Sequence, residues 1–236
     1  MPKKLFRGGD FPSDKQADPI PSDSIPPLPG NENNPTIITG SMAITTNGAY
    51  KLDPLCKDYL ITISADNVEI IGSGVTNNNV RIECTQPTNL HLRDYDVTVP
   101  GTESAIRFSD AGKNTLDILG TNKIDNNDGT EHNGKKATIY VGGGLTIAGS
   151  GSLQTYRNQF THGAVIGGDA DSSTTENSNI VINGNDNNTA PDIRLDGPQI
   201  GAAIGAGDGG KIGDITINGG KIHAVAGGGT PAIGTR

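Results

Sequence analysis

Gly201-Ala202-Ala203-Ile204-Gly205-Ala206-Gly207 is a phrase that the chain repeats. It returns as Gly163-Ala164-Val165-Ile166-Gly167-Gly168 and as Thr230-Pro231-Ala232-Ile233-Gly234. Looser copies stand at Ser104-Ala105-Ile106 and Ala137-Thr138-Ile139-Tyr140-Val141-Gly142. The isoleucines Ile106, Ile139, Ile166, Ile204 and Ile233 are separated by 33, 27, 38 and 29 residues. Recurrence at intervals of this size is the mark of a repeat architecture, in which one small unit stacks on the next.

A second phrase precedes each copy. Asp214-Ile215-Thr216-Ile217-Asn218-Gly219-Gly220 runs into Lys221-Ile222-His223-Ala224. Asn179-Ile180-Val181-Ile182 pairs in the same way with Asp192-Ile193-Arg194-Leu195, and Gly144-Leu145-Thr146-Ile147 with Ser152-Leu153-Gln154-Thr155. Alternation at period two marks half-buried strands. Gly and Asn between them permit positive φ at corners. One unit therefore reads strand, turn, strand, loop, strand, which describes one rung of a parallel β-helix. Looser alternation at Asn79–Cys84, Leu90–Val99 and Thr115–Gly120 brings the expected total to about seven rungs. No segment has helical periodicity with caps. The five isoleucines should stack inside.

Composition fits this reading. Aromatics are 4% of 236 residues and Trp is absent, which a wide core would not tolerate but a thin stacked one does. There is no apolar run of about 18 residues, so no membrane span is expected. The basic start Met1-Pro2-Lys3-Lys4-Leu5-Phe6-Arg7 leads into no apolar core and does not read as a signal peptide. Net charge is −8, and no basic stripe offsets it, so nucleic-acid backbone is a poor partner. The first 35 residues hold eight prolines among polar residues. They read as an extended arm, 1–35, ahead of a single folded unit, 36–236.

The order Gly48-x-Tyr50-x-Leu52, Ile61-Thr62-Ile63-x-Ala65-Asp66-Asn67-Val68-x-Ile70-x-Gly72-x-Gly74 resembles the opening rungs of right-handed parallel β-helix proteins. The later Ile215-Thr216-Ile217-Asn218-Gly219-Gly220-Lys221-Ile222 and Ala232-Ile233-Gly234 phrases resemble the repeats of bacterial cell-surface and carbohydrate-binding members. The resemblance spans roughly residues 44–236 and implies an all-β, single right-handed parallel β-helix. It also implies an extracellular or cell-surface location and leaves function open, because this fold serves several trades.

Candidate chemistry is thin. Gly205-Ala206-Gly207-Asp208-Gly209-Gly210 matches a dinucleotide fingerprint, but a strand pattern follows where a helix is required, so it reads as a corner. Asp169, Asp171 and Ser173, with Glu176 nearby, resemble the start of a calcium loop; Asx turns are the competing explanation. Carboxylates for polysaccharide cleavage could come from Asp94, Asp96 and Asp117, with Arg157, His162 and Arg194 near a cleft. A solvated strand position is the common explanation for each, and the expectation is no enzyme. Glycan binding would need exposed aromatics, for which Tyr140 and Tyr156 are the candidates in the repeats. Cys56 and Cys84 stand 28 residues apart, close to one rung. Stacked residues lie about 4.8 Å apart, within the roughly 4.4–6.8 Å a disulfide spans. Two buried thiols, or a bond to another subunit, are the alternatives.

The leading expectation for function is a non-catalytic structural protein that associates head to tail into a fibre or surface assembly. Its joint would set Ile233 of the last rung against the rung near Ile37 and Ile44, locked by the arm. The alternatives are a carbohydrate-binding or adhesive surface module, with or without calcium, and a polysaccharide lyase or hydrolase. No cofactor other than calcium is expected.

Overall fold

The computed structural model describes residues 31–108, 112–126, 134–157, 161–173, 175, 178–184, 190–198 and 200–235. Most of the expected arm, residues 1–30, lies outside them. Residues 31–35 are described and lead into the first strand, with the Ala49 N–H donating to Asn31 Oδ1 at 2.6 Å. Every regular element among the described residues is a strand, and each described strand pair is parallel. No helix among them is long and apolar enough to cross a membrane.

Two sheets form. The first holds eight strands among the described residues: β1 (Thr36–Ile38), β3 (Gly48–Leu52), β5 (Asn67–Ile71), β7 (Asn89–Arg93), β10 (Lys113–Leu119), β13 (Gly144–Gly149), β16 (Ile180–Ile182) and β19 (Ile215–Ile217). The second begins with β2 (Met42–Ile44), β4 (Lys57–Ile63) and β6 (Asn77–Cys84). Parallel neighbours need a crossover. Here the crossover from one strand of the first sheet to the next runs through the second sheet.

At β6 the second sheet divides into two limbs. Asn77 and Asn78 pair with β8 (Asp96–Thr98), while Ile82 and Glu83 pair with β9 (Ile106–Phe108). From β8 one limb continues through β11 (Thr121–Asn126), β14 (Ser152–Arg157), β17 (Asp192–Asp196) and β20 (Lys221–Val225). From β9 the other continues through β12 (Ile139–Val141), β15 (Ile166–Gly167), β18 (Ile204–Gly205) and β21 (Ile233–Gly234). The cause of the break is local. Pro100 has no N–H to give a ladder, and it starts a turn closed by Glu103 N–H to Pro100 O at 2.9 Å. The buried Asn126 side chain in the next strand holds that turn, donating to Pro100 O at 2.9 Å and Glu103 O at 3.0 Å.

The five isoleucines lie in one register column, which Met42, Ile61 and Ile82 extend upstream. Ile61 through Ile204 are fully buried or nearly so, and each contributes roughly 1.5–3 kcal/mol by leaving water. Ile233, on the last strand of its limb, is 41% exposed. A second column, Val68–Leu90–Leu116–Ile147–Ile182–Ile217, lines the inner face of the first sheet. Ile37 is exposed, as expected for the first strand, but Ile44 is interior and stacks on Ile63. Alternation along β2 turns Ile44 inward, and β1 and β2 each keep one edge that pairs with no described strand.

Cys56 and Cys84 are both buried and free. The neighbour of Cys84 in the register is Ile63, and the Cys56 thiol donates to Ile38 O at 3.1 Å. Burial raises the Cys56 pKa and pushes Cys84 up to about 12. A thiol whose folded pKa is raised keeps its proton in the folded state. Its contribution is therefore complete below its ordinary value of 9.0 and declines as pH climbs from there towards about 12. Iodoacetamide at neutral pH should label neither thiol in the native chain and both in urea without reductant. Resistance in urea until a reductant is added would instead mean a disulfide.

Candidate functional site

The outer face of the β8 limb is where the sequence places polar and aromatic groups together. Alternation sends Asn122, Ile124 and Asn126 inward from β11, with Leu153 and Thr155 from β14 and Ile193 and Leu195 from β17. The residues between them face out. Register then stacks Lys123, Gln154, Arg194 and His223 in one column. Asp125, Tyr156, Asp196 and Val225 form the column beside it. Tyr156 is 36% exposed, the Gln154 side-chain amide donates to its hydroxyl, and the Lys123 ammonium lies 5.8 Å from its ring centroid. Arg194 is exposed and makes no ion pair among the described residues. The result is an aromatic ring framed by hydrogen-bonding groups of both signs on a regular sheet surface.

Tyr140, the other aromatic candidate, is buried, with the Arg107 guanidinium 3.8 Å from its ring centroid. Arg107 also reaches Ser104 Oγ at 3.2 Å and Asp169 Oδ2 at 3.2 Å. Asp169 is held further by the Lys136 ammonium at 3.1 Å and by the Ala137 N–H at 2.7 Å. Asp171 turns to a different cation, Lys135, at 2.8 Å. The hydrogen bond and charge of Lys135 hold the Asp171 carboxyl below the usual range, and Asp171 raises Lys135 in turn. Ser173 is exposed, and Glu176 lies outside the described residues. The two described carboxylates of the calcium candidate thus diverge onto separate cations. Among the described residues no group of three or more His, Cys, Asp and Glu is arranged for a metal.

The remaining candidates are dispersed. Asp94 sits at a corner with φ 52° and accepts the Thr121 N–H at 2.8 Å, which is a turn-forming role. Asp96 faces out beside Lys123. His162 Nδ1 meets Asp208 Oδ2 at 3.3 Å. The side chain of Arg157 lies outside what the structure describes.

One cluster was visible in the sequence only through Asp117. On the first sheet, Ala49, Glu69, His91, Asp117 and Ala148 form the central outward column, and all five are buried. His91 Nδ1 lies 2.7 Å from Asp117 Oδ2, and its Nε2 lies 2.8 Å from Asn67 Oδ1. Arg93 Nε donates to Glu69 Oε1 at 2.7 Å. Glu69 Oε2 is buried with no hydrogen-bond partner among the described residues. The signal was present as Val68-Glu69-Ile70, Leu90-His91-Leu92 and Leu116-Asp117-Ile118, an ionisable residue between two apolar ones in three successive strands of one sheet. Such a network orders the sheet; the groups it ties up are withdrawn from chemistry on the surface.

No protein-family model, no curated protein and no solved structure matches this chain.

Proposed function

We propose that the chain is a right-handed parallel β-helix working as a non-catalytic, cell-surface or extracellular module that binds polysaccharide on the outer face of β11, β14 and β17. All-parallel pairing, the strand–turn–strand–loop–strand unit and the long isoleucine column support the fold. The observation that carries the function is Tyr156, exposed in the middle of that face between cations and carboxylates. A tyrosine offers an apolar ring and a polar tip together, which suits a ligand whose faces are C–H and whose edges are hydroxyl. The non-catalytic reading is supported by the engagement of Asp94 with a backbone N–H and of Asp117 with His91. Release of new sugar ends by the purified protein would overturn it.

The test is retention of the purified chain on a panel of insoluble polysaccharides, read as the fraction bound. Wild type should be retained by at least one matrix, and Tyr156→Ala should lose roughly tenfold in affinity. No retention on any matrix, or equal retention of the variant, sinks the reading. Binding is expected to survive a chelator, because Asp169 and Asp171 are already held by Arg107, Lys136 and Lys135.

A second reading, self-association, has its own observation. Ile217 on β19 and Ile233 on β21 are exposed at 44% and 41%, on strands whose outer edge pairs with no described strand. An open edge of this kind is a template for pairing. Concentration-dependent sedimentation that Ile233→Lys abolishes would favour a fibre, and a monomer at every concentration would remove it.

A further inference from the structure

Resting on the binding reading above, we infer that the ligand is a neutral linear polysaccharide lying along the stacking direction, one sugar ring per strand across β11, β14 and β17. The face has a simple order. Beside Tyr156 the two outer strands each present one cation and one carboxylate, Lys123 with Asp125 and Arg194 with Asp196, and β17 adds Asp192, which pairs with Lys221 of β20 at 3.0 Å. The central strand presents no charge, only Ser152, Gln154 and Tyr156. Cations share one column and carboxylates share the other, so both outer strands offer the same pair in the same orientation.

That order selects by charge. The four ionised groups flanking Tyr156 cancel, and Asp192 is offset by Lys221, so a neutral ligand is neither drawn nor repelled. A polyanion aligned with the columns would meet two carboxylates in a chain of net charge −8. A sugar hydroxyl can donate to a carboxylate while a neighbouring hydroxyl accepts from Lys or Arg, so each outer pair can hold the two edges of one ring. The order also selects by length. Strands repeat about every 4.8 Å, close to the advance of one six-membered ring in an extended sugar chain. A ring stacked on Tyr156 therefore places its two neighbours over Lys123/Asp125 and Arg194/Asp196. Along a single strand the fit is worse, since residues two apart are separated by roughly 6.6 Å and the cation and carboxylate columns carry unlike groups.

The full chain is titrated calorimetrically with soluble neutral oligosaccharides, glucan, xylan and mannan series from disaccharide to hexasaccharide, and with matched polyuronate oligomers. One neutral series should bind, with affinity rising steeply from disaccharide to trisaccharide and levelling beyond it. Polyuronates should bind at least roughly tenfold more weakly. Lys123→Ala and Arg194→Ala should each weaken the trisaccharide several-fold and leave the disaccharide less affected. Lys57→Ala, an exposed lysine on β4, should change nothing. Preference for polyuronates, or affinity independent of length, overturns this inference and leaves polysaccharide binding standing. Retention of no polysaccharide of either kind by the wild type overturns both.

Discussion

Gly167→Ala is expected to destabilise the chain by more than about 4 kcal/mol, enough to abolish a soluble folded product. Gly167 closes β15 with φ +142°, a conformation that side chains rarely adopt. A Cβ there would stand 1.8 Å from Gly205 O on the next strand. That carbonyl is backbone and accepts the Gly168 N–H at 3.0 Å, so it cannot retreat without breaking the ladder. Gly205 repeats the geometry, with φ +147° and a Cβ 1.9 Å from Gly234 O. The last member separates the two causes. Gly234 has φ +121° but nothing within 4 Å of its Cβ. Gly234→Ala should therefore cost only the conformational share, about 1–3 kcal/mol. Gly40→Ala, with open space and no positive φ, should stay within about 0.5 kcal/mol. Urea midpoints for the series give the ordering directly. If Gly167→Ala unfolds where Gly234→Ala does, close approach between neighbouring strands is not why the Ala-Ile-Gly phrase recurs.

That phrase was readable because stacking demands the same residue at the same place in every repeat. Isoleucine fills a column that has apolar neighbours above and below, and glycine is the residue that lets two backbones pass at one corner. Other features depend on where the columns fall, which a single strand does not reveal. Tyr140 and Tyr156 both alternate outward, yet the Arg107 guanidinium covers one ring and the other meets solvent. Ile44 lies on the first strand of its sheet, yet its side chain is interior. Asp169 looked like a cation ligand, but its partner Arg107 is 62 residues away in the chain and becomes a neighbour only when β9, β12 and β15 are in register. The candidate face was legible as a set of polar strand positions, and its pairing of cation with carboxylate became visible only with the register.

His91→Leu is expected to cost about 3–5 kcal/mol, the second large effect in the molecule. His91 and Asp117 lie side by side in the register, buried to within a few per cent, with Nδ1 and Oδ2 2.7 Å apart. Replacing the imidazole alone strands the Asp117 carboxylate without its partner and leaves Asn67 Oδ1 facing a methyl group. Desolvation of an unpaired carboxylate then dominates, because the attraction that offset it is gone. Removing both partners has the opposite logic. His91→Leu combined with Asp117→Leu leaves no orphaned carboxylate at 117 and makes the column apolar from position 91 to Ala148. The double variant should recover most of the loss and could exceed the wild type, since a buried polar pair is often no better than packed hydrocarbon. The Glu69–Arg93 pair remains in both variants and serves as the internal reference. A double-mutant cycle on chemical unfolding, with Asp117→Leu as its fourth corner, measures the coupling. Additive losses would mean that His91 and Asp117 act independently. The column would then be held by packing alone, and the recurrence of ionisable residues between apolar ones in three successive strands would have no electrostatic cause.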